Sequence, residues 1–241
     1  MNLIIDVGNT RVKLAVFENS KLIHNESIKG EDLENTINAI LKKYRFNAGI
    51  FSSVGTVNKA EILKIKSRIN LIELNSSTKI PFENKYSTPK TLGVDRIALI
   101  SSAITKYPNE NVLVIDAGSC ITYDFINSKG EYFGGAISPG IGMRYKALNE
   151  FTSKLPLLEP NYLDQLIGST TNESIHLGVT SGVINEIDSF VDQYRKINKD
   201  LTVVLTGGDT NFLSNRLKNG IFANPFFLME GLNSILIYNL K

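Results

Sequence analysis

The sequence is poor in cysteine and histidine, with one cysteine and two histidines among 241 residues. A single cysteine cannot form a disulfide within the chain, and so few soft ligands exclude a structural zinc site of cysteine and histidine. The predicted compartment is therefore a reducing one, the cytoplasm. Cys120, the lone cysteine, is expected to be a small buried residue and not a nucleophile.

Long apolar runs and an excess of charge of one sign are also missing. No apolar stretch reaches the roughly 20 residues that cross a bilayer, and the first residues do not resemble a cleaved leader, so no membrane segment is predicted. Lys and Arg number 26 against 24 Asp and Glu, without a basic run, so nucleic-acid binding is not predicted either. The 42% of hydrophobic residues can fill one large core or two modest ones.

Apolar and alternating runs predict two three-stranded antiparallel meanders. The first comprises residues 3–5, 12–17 and 21–28, and the second comprises residues 112–116, 121–127 and 132–137. Two further strands are predicted at 49–53 and 201–205, and helical spacing predicts helices at 31–44, 59–69, 171–194 and 225–239, the last with a proline at its start.

One long predicted helix carries an apolar stripe. Its members are four residues apart and comprise Ile175, Val179, Val183, Ile187 and Val191. Such a stripe either packs in the core or forms a dimer face, so a homodimer is one expectation from it.

Both meanders carry the same short motif at the same place. The motif reads IleIleAspValGlyAsnThr at 4–10 and ValIleAspAlaGlySer at 114–119. A repeat with a period of half the chain predicts two related domains, and the break at 108–111 sets them as 1–110 and 111–241.

The repeated Asp-x-Gly motif suits phosphate. Glycine after a strand lets backbone amides approach a ligand without interference from a Cβ, and Asp6 can hold a hydrated Mg²⁺. Lys13 neutralises phosphate charge if it points inward, although a strand lysine is more often solvated. Ordinary turn chemistry explains either copy alone, whereas two copies favour a phosphate clamp. We expect Asp6 and Asp116 to face one another across a single polyphosphate.

Five motifs in this order resemble those of the acetate and sugar kinase, heat-shock ATPase and actin superfamily, and within it the type III pantothenate kinases. They are AspValGlyAsnThr at 6–10, GlyValAspArg at 93–96, AspAlaGlySerCysIleThr at 116–122, GlyGlyAlaIleSerProGly at 134–140 and ThrGlyGlyAsp at 206–209. The resemblance implies an α/β fold of two ribonuclease-H-like (actin-like ATPase) domains, each a mixed sheet with flanking helices, with a cleft between them. It also leaves the C-terminal helix able to pack back on the first domain.

The resemblance implies ATP-dependent phosphorylation of pantothenate to 4′-phosphopantothenate, the first step of coenzyme A biosynthesis, by direct in-line transfer. Asp95 is the implied catalytic base, and Asp116 the implied ligand of a monovalent cation, K⁺ or NH₄⁺. The implied pantothenate-binding residues are Tyr86, Gly93, Val94, Asp95, Arg96 and Thr171. The implied ATP-binding residues are Asp6, Val7, Gly8, Asn9, Thr10, Arg11, Val12, Lys13, Ser119, Gly207 and Gly208. Ser119 stands where the family usually has Thr, which preserves the hydroxyl.

Simpler interpretations remain for several of these residues. Asp95 and Arg96 are also consistent with the start of a helix and a charge pair on the surface. Tyr86 is consistent with a residue that only packs, and Thr171 with the N-cap of a helix. At the level of function, the alternatives are a kinase for another small hydroxylated metabolite and an ATP-binding regulatory accessory factor without turnover. A ribonuclease-H-like nuclease is disfavoured by the near-neutral charge.

Overall fold

The computed structural model describes residues 1–55 and 59–241 and divides the chain into two compact units. Unit 1 comprises Met1–Asn109, Lys129–Phe133 and Phe226–Lys241, and unit 2 comprises Glu110–Ser128 and Gly134–Pro225. The C-terminal residues thus group with the first unit. The domain bounds 1–110 and 111–241 stay a prediction.

The two units contain eleven strands and eight α-helices within the described residues. In chain order these are β1 (Asn2–Val7), β2 (Val12–Glu18), β3 (Lys21–Ile28), α1 (Leu33–Lys43), β4 (Ala48–Ser53), α2 (Lys59–Lys66), β5 (Leu71–Glu73), β6 (Glu83–Asn84), α3 (Val94–Lys106), β7 (Asn111–Ala117), β8 (Cys120–Ile126), β9 (Glu131–Pro139), α4 (Ile141–Glu150), α5 (Thr171–His176), α6 (Gly182–Ile197), β10 (Leu201–Thr206), α7 (Thr210–Leu213), β11 (Phe222–Ala223) and α8 (Phe227–Leu240). None of these helices combines the length and the hydropathy needed to span a membrane.

The sheet of unit 1 has the strand order β3-β2-β1-β4-β5. Strands β1 to β3 form the predicted antiparallel meander, and β1 pairs in parallel with β4. On one face, Leu3, Ile5 and Val7 of β1 pack with apolar residues of α1 and α2. Ile4 is equally buried, and strand alternation points it to the opposite face, where α3 and α8 lie.

The sheet of unit 2 repeats this pattern, with the order β11-β10-β7-β8-β9. Strand β7 pairs antiparallel with β8 and in parallel with β10, as β1 does with β2 and β4. The first residues of β9 belong to unit 1, where they pair with β6. Each sheet is therefore mixed and has the strand order of a ribonuclease-H-like domain, which confirms the predicted fold class.

The apolar stripe of the long helix lies in the core of unit 2. All five of its side chains are at most 6% exposed and pack with residues of β7, β8 and β10. Of the two interpretations of the stripe, the structure supports the core, and the stripe lends no support to a dimer face.

The four predicted helices are observed with different bounds, and in two of them the difference changes the interpretation. The helix predicted at 171–194 is divided into α5 and α6 by a π-helical segment, Leu177–Ser181, where the backbone bonds run one residue further than in an α-helix. The helix predicted from Pro225 begins at Phe227, with Phe226 as its N-cap, so the proline precedes the helix and does not start it.

Candidate active site

The first Asp-x-Gly motif forms a tight turn between β1 and β2. The Gly8 amide donates a hydrogen bond to the Arg11 carbonyl oxygen at 3.0 Å, while Asn9, Thr10 and Arg11 are exposed. Val7 and Val12, the paired residues that flank the turn, are buried. The turn is thus anchored by the sheet and presents its polar residues to solvent.

One face of this hairpin suits a polyphosphate better than the other. A cavity of about 420 Å³ beside the turn includes Glu31 and Glu61 among its lining residues, and two carboxylates there repel phosphate. On the strands, Asp6 and Lys13 lie opposite each other in the β1–β2 register. Lys13 is half-buried, lies on the same side of the hairpin as Asp6 in this register, and its charge acts to lower the pKa of Asp6.

Asp6 is a desolvated carboxylate held by the neighbouring strand. Its side chain is 6% exposed, and Ser52 of β4 donates a hydrogen bond to Asp6 Oδ1 at 2.8 Å. Burial is the main cause that raises the pKa of Asp6; the Ser52 hydrogen bond and the Lys13 charge lower it, and the charge of Asp95 raises it further. The structure therefore brings Asp95 within electrostatic reach of Asp6.

Asp95 lies in the first turn of α3, directly after the N-cap residue Gly93 and Val94. The backbone amide of Arg96 donates a hydrogen bond to Asp95 Oδ1 at 2.8 Å, and any side chain at Gly93 would overlap that oxygen. The expected helix start is therefore observed, and the first turn of α3 holds the carboxylate of the candidate base.

Arg96 does not lie on the surface, since it is only 5% exposed. Its guanidinium carbon lies 5.6 Å from the centre of the Tyr86 ring, and Tyr86 stacks on Tyr132 at 6.2 Å. A cation over an aromatic face is held in a defined direction, so Tyr86 packs against Arg96 and orients it. The structure brings Tyr86 and the segment 93–96 together in unit 1.

The second Asp-x-Gly motif forms the corresponding turn between β7 and β8. The Gly118 amide donates to the Cys120 carbonyl oxygen at 2.9 Å, and Asp116 lies opposite Thr122 in the strand register. Ser119 is exposed at the tip, where its hydroxyl can contact a ligand. Cys120 is also exposed, so the expectation of a buried cysteine was wrong. It is exposed because it is the first residue of β8 and directly follows the turn.

The ThrGlyGlyAsp segment packs directly against this turn. Gly207 has φ +97°, a conformation that favours glycine, and any side chain there would overlap Asp116 Oδ1 and the Ala117 carbonyl oxygen. The Asp209 amide donates to the Ala117 carbonyl oxygen at 2.9 Å, and burial raises the pKa of the Asp209 carboxyl. Gly208, in contrast, has open space beside it, as a contact with a ligand requires.

Two residues that sequence reasoning did not assign to the site support its loops. Ser52 holds Asp6, and Gly55 lies so close to Gly8 that an added Cβ would be 2.6 Å from the Gly8 carbonyl oxygen. The sequence signal was the run SerSerValGly at 52–55, where the strand predicted at 49–53 ends, and such a run is ordinary at the end of a strand.

Thr171 is exposed at the start of α5, but it is not the N-cap of that helix. The N-cap is Thr170, whose hydroxyl accepts a hydrogen bond from the Glu173 amide at 3.2 Å. Thr171 lines a cavity of about 960 Å³ whose apolar lining includes Leu148 and Phe151. Thr171 belongs to unit 2 and the other candidate pantothenate residues to unit 1, so their joint pocket stays a prediction.

The chemistry of the site fits Mg²⁺ bound mainly by water and phosphate. Within residues 1–55 and 59–241, no group of three or more His, Cys, Asp and Glu could hold a metal ion. Mg²⁺ commonly uses one or two carboxylates together with phosphate oxygens and waters. Asp6, a buried carboxylate whose pKa is raised by burial and by the charge of Asp95, is one that a divalent cation would stabilise.

Comparisons with known proteins agree on one family. A family model described as type III pantothenate kinase matches residues 2–193. A type III pantothenate kinase of Flavobacterium johnsoniae is 45% identical over 241 residues, which cover 100% of this chain and 99% of the relative. One of Christiangramia forsetii is 44% identical over 240 residues, which cover 99% of each chain.

A solved structure shares the fold. A Campylobacter jejuni protein assigned to the Baf family of transcriptional activators has a TM-score of 0.61 at 24% identity, covering 99% of this chain and 98% of its own. Because the family model spans most of the sequence and relatives of that name match nearly all of it, the chain belongs to the type III pantothenate kinase family.

Proposed function

We propose that this protein transfers the γ-phosphoryl group of ATP to pantothenate and so forms 4′-phosphopantothenate, the first step of coenzyme A biosynthesis. Its membership of the family, whose relatives are named for this activity, supports the choice of acceptor. The single observation that supports the role of Asp95 is its position in the first turn of α3, where the Arg96 amide holds its carboxylate and its charge acts to raise the pKa of Asp6.

Asp95 is the proposed general base. Its carboxylate takes the proton of the primary hydroxyl of pantothenate, the hydroxyl oxygen bonds to the γ-phosphorus, and the bond from that phosphorus to the ADP oxygen breaks. Arg96, oriented by Tyr86, offers a fixed fork of donors to the carboxylate of pantothenate. Gly93, Val94 and Thr171 complete the proposed acceptor pocket.

The phosphate groups are proposed to lie against the first hairpin. The amides and side chains of residues 6–13 surround the phosphates, and Lys13 supplies a positive charge. Asp6 would hold Mg²⁺ through water, and that ion supplies charge neutralisation at the phosphates when it is bound. In unit 2, Ser119, Gly207 and Gly208 are the proposed ATP contacts.

The finer assignments are proposals as well. Asp116 is the proposed ligand of a monovalent cation, K⁺ or NH₄⁺, and the protein is proposed to work as a cytoplasmic homodimer. The cation role predicts higher turnover when K⁺ replaces Na⁺ at constant ionic strength. Equal rates in the two salts would remove that role from Asp116.

An ADP-release assay tests the proposed activity. ATP and Mg²⁺ are supplied with pantothenate, without it, and with a panel of sugars in its place. We expect ADP release that depends on pantothenate. Release with a sugar and none with pantothenate would favour a kinase of another metabolite, and ATP binding without release under any condition would favour a regulatory accessory factor.

A further inference from the structure

Four polar side chains form a hydrogen-bonded network in unit 2 that the proposed chemistry does not use. Glu186 of α6 is its centre: Tyr123 of β8 donates to Glu186 Oε1 at 2.9 Å, and Arg144 of α4 donates to Glu186 Oε2 at 2.6 Å. Arg144 also donates to the hydroxyl of Ser138, near the end of β9, at 2.9 Å. The network therefore links two strands and two helices.

The network is partly shielded from solvent and contains an ion pair. Tyr123 is fully buried and stacks on Phe190 at 4.1 Å, while the side chains of Arg144 and Glu186 are 22% and 24% exposed. Burial acts to raise the pKa of Glu186, but the hydrogen bonds from Arg144, Ser138 and Tyr123 outweigh it and lower the pKa. Glu186 thus stays ionised and Arg144 stays paired at neutral pH.

Arg144 is also connected to the second Asp-x-Gly turn, through hydrogen bonds that involve backbone atoms of Pro139 and Gly140. Arg144 Nε donates to the carbonyl oxygen of Pro139 at 2.9 Å. The amide of the next residue, Gly140, donates to the carbonyl oxygen of Ser119 at 3.1 Å. Gly140 is packed so closely that a Cβ there would overlap the Gly118 carbonyl oxygen. A shift of Pro139 would therefore move Gly118 and Ser119.

We infer that Arg144 and Glu186 are positioning residues that hold the Gly118–Ser119 turn in place for ATP, through Pro139 and Gly140. The guanidinium is suited to this because its donors form a rigid planar fork that reaches a carboxylate, a hydroxyl and a carbonyl oxygen at once. The inference rests on the proposed function, in which this turn contacts ATP.

Two variants test the inference. Arg144→Lys preserves the charge but loses the fork, and Glu186→Gln preserves the shape but loses the charge that holds Arg144. We expect both to weaken ATP binding and raise KM for ATP about tenfold, the effect of one charge-assisted hydrogen bond. Glu186→Gln should change KM for pantothenate by less than about twofold; Arg144 also lines the cavity of Thr171, so this second criterion applies to Glu186→Gln alone. The measurement is calorimetric titration with Mg-ATP in the absence of pantothenate.

Asp192→Asn is the matched control, because Asp192 lies on the same helix and pairs with Lys218 at 2.8 Å, outside the network. Its affinity for ATP should equal that of the wild type. Unchanged ATP affinity in Glu186→Gln, or an equal loss in Asp192→Asn, would overturn the inference. If the wild type binds ATP but does not phosphorylate pantothenate, the proposed function fails while the positioning role is still measured.

Discussion

Among single residues, Asp95 has the most specific role in the proposed chemistry. Replacing it by Asn should lower kcat by about 10²- to 10⁴-fold, the usual contribution of a general base, and leave ATP binding largely intact. Asn keeps a side-chain oxygen that can accept from the Arg96 amide, so the start of α3 should not change. Steady-state kinetics and Mg-ATP titration measure the two effects, and wild-type turnover in this variant would exclude Asp95 as the base.

The ionised side chain of Asp6 is predicted to lower the free energy of unfolding of the ligand-free protein. Its pKa is raised in the folded state, chiefly by burial, so the ionised form is penalised above that pKa. This destabilisation decreases as the pH falls through the raised pKa and is absent below 3.8, the ordinary pKa of an aspartate. Acidification within this window therefore adds stability from this group.

Asp6→Asn removes the ionisable group and should raise the Tm of the ligand-free protein at pH 7, by roughly 2–4 °C per 1 kcal/mol of penalty removed. The asparagine oxygen can still accept from Ser52, while binding of Mg-ATP should weaken. Thermal melts with and without Mg-ATP measure both effects. A lower Tm of the free variant at pH 7 would contradict the prediction.

Sequence reasoning located the residues with local signals and missed those defined by distant contacts. The Asp-x-Gly turns were found because strand, acid and glycine follow one another in the chain. Ser52 and Asp6 meet only because β4 pairs in parallel with β1, a long-range contact that no short motif records. The N-cap that the sequence suggested at Thr171 is the preceding residue, Thr170, because two adjacent threonines give the same sequence signal.

At the scale of whole elements, the contact between α3 and α8 supports the segment that bears Asp95. Gly231 of α8 approaches α3 so closely that a Cβ would overlap the Ala98 carbonyl oxygen. Gly231→Ala should therefore lower the free energy of unfolding by about 1–3 kcal/mol, as overpacking does. Urea denaturation measures the change.

Gly142→Ala is the control for this prediction. Gly142 lies in α4 with nothing within 4 Å of an added Cβ, so the substitution should be neutral or stabilise the protein by up to about 1 kcal/mol. Equal stability of the two variants would mean that the approach of α8 to α3 does not limit the side chain at Gly231.

The elements that were predicted from sequence differ physically from those that were not. Both meanders were recognisable because each strand pairs with its neighbour across a short turn. Strands β5, β6 and β11 have three residues or fewer, and their partners are distant in sequence, so no periodicity marks them. The apolar stripe of the long predicted helix stays in the core despite the π-helical segment. The spacing of the stripe therefore could not have revealed that segment.

At the scale of the whole molecule, the repeat in the sequence corresponds to a repeat in strand order. Each sheet places its Asp-x-Gly strand, β1 or β7, between an antiparallel and a parallel neighbour. In both units a glycine packs on the turn from elsewhere in the chain: Gly55 on Gly8 in unit 1, and Gly140 on Gly118 in unit 2. This internal similarity is the reason to expect that both turns bind the same ligand.

Hydrogen–deuterium exchange tests whether one ATP engages both turns. Mg-ATP should slow amide exchange in residues 6–13 and in residues 116–122, and both sets should reach half-protection at the same ATP concentration. Asp95→Asn should show the same protection, because its proposed role concerns only the acceptor. Protection confined to one turn, or two different half-protection concentrations, would show that the turns do not share a nucleotide, and the proposed clamp would then be wrong even if the protein phosphorylates pantothenate.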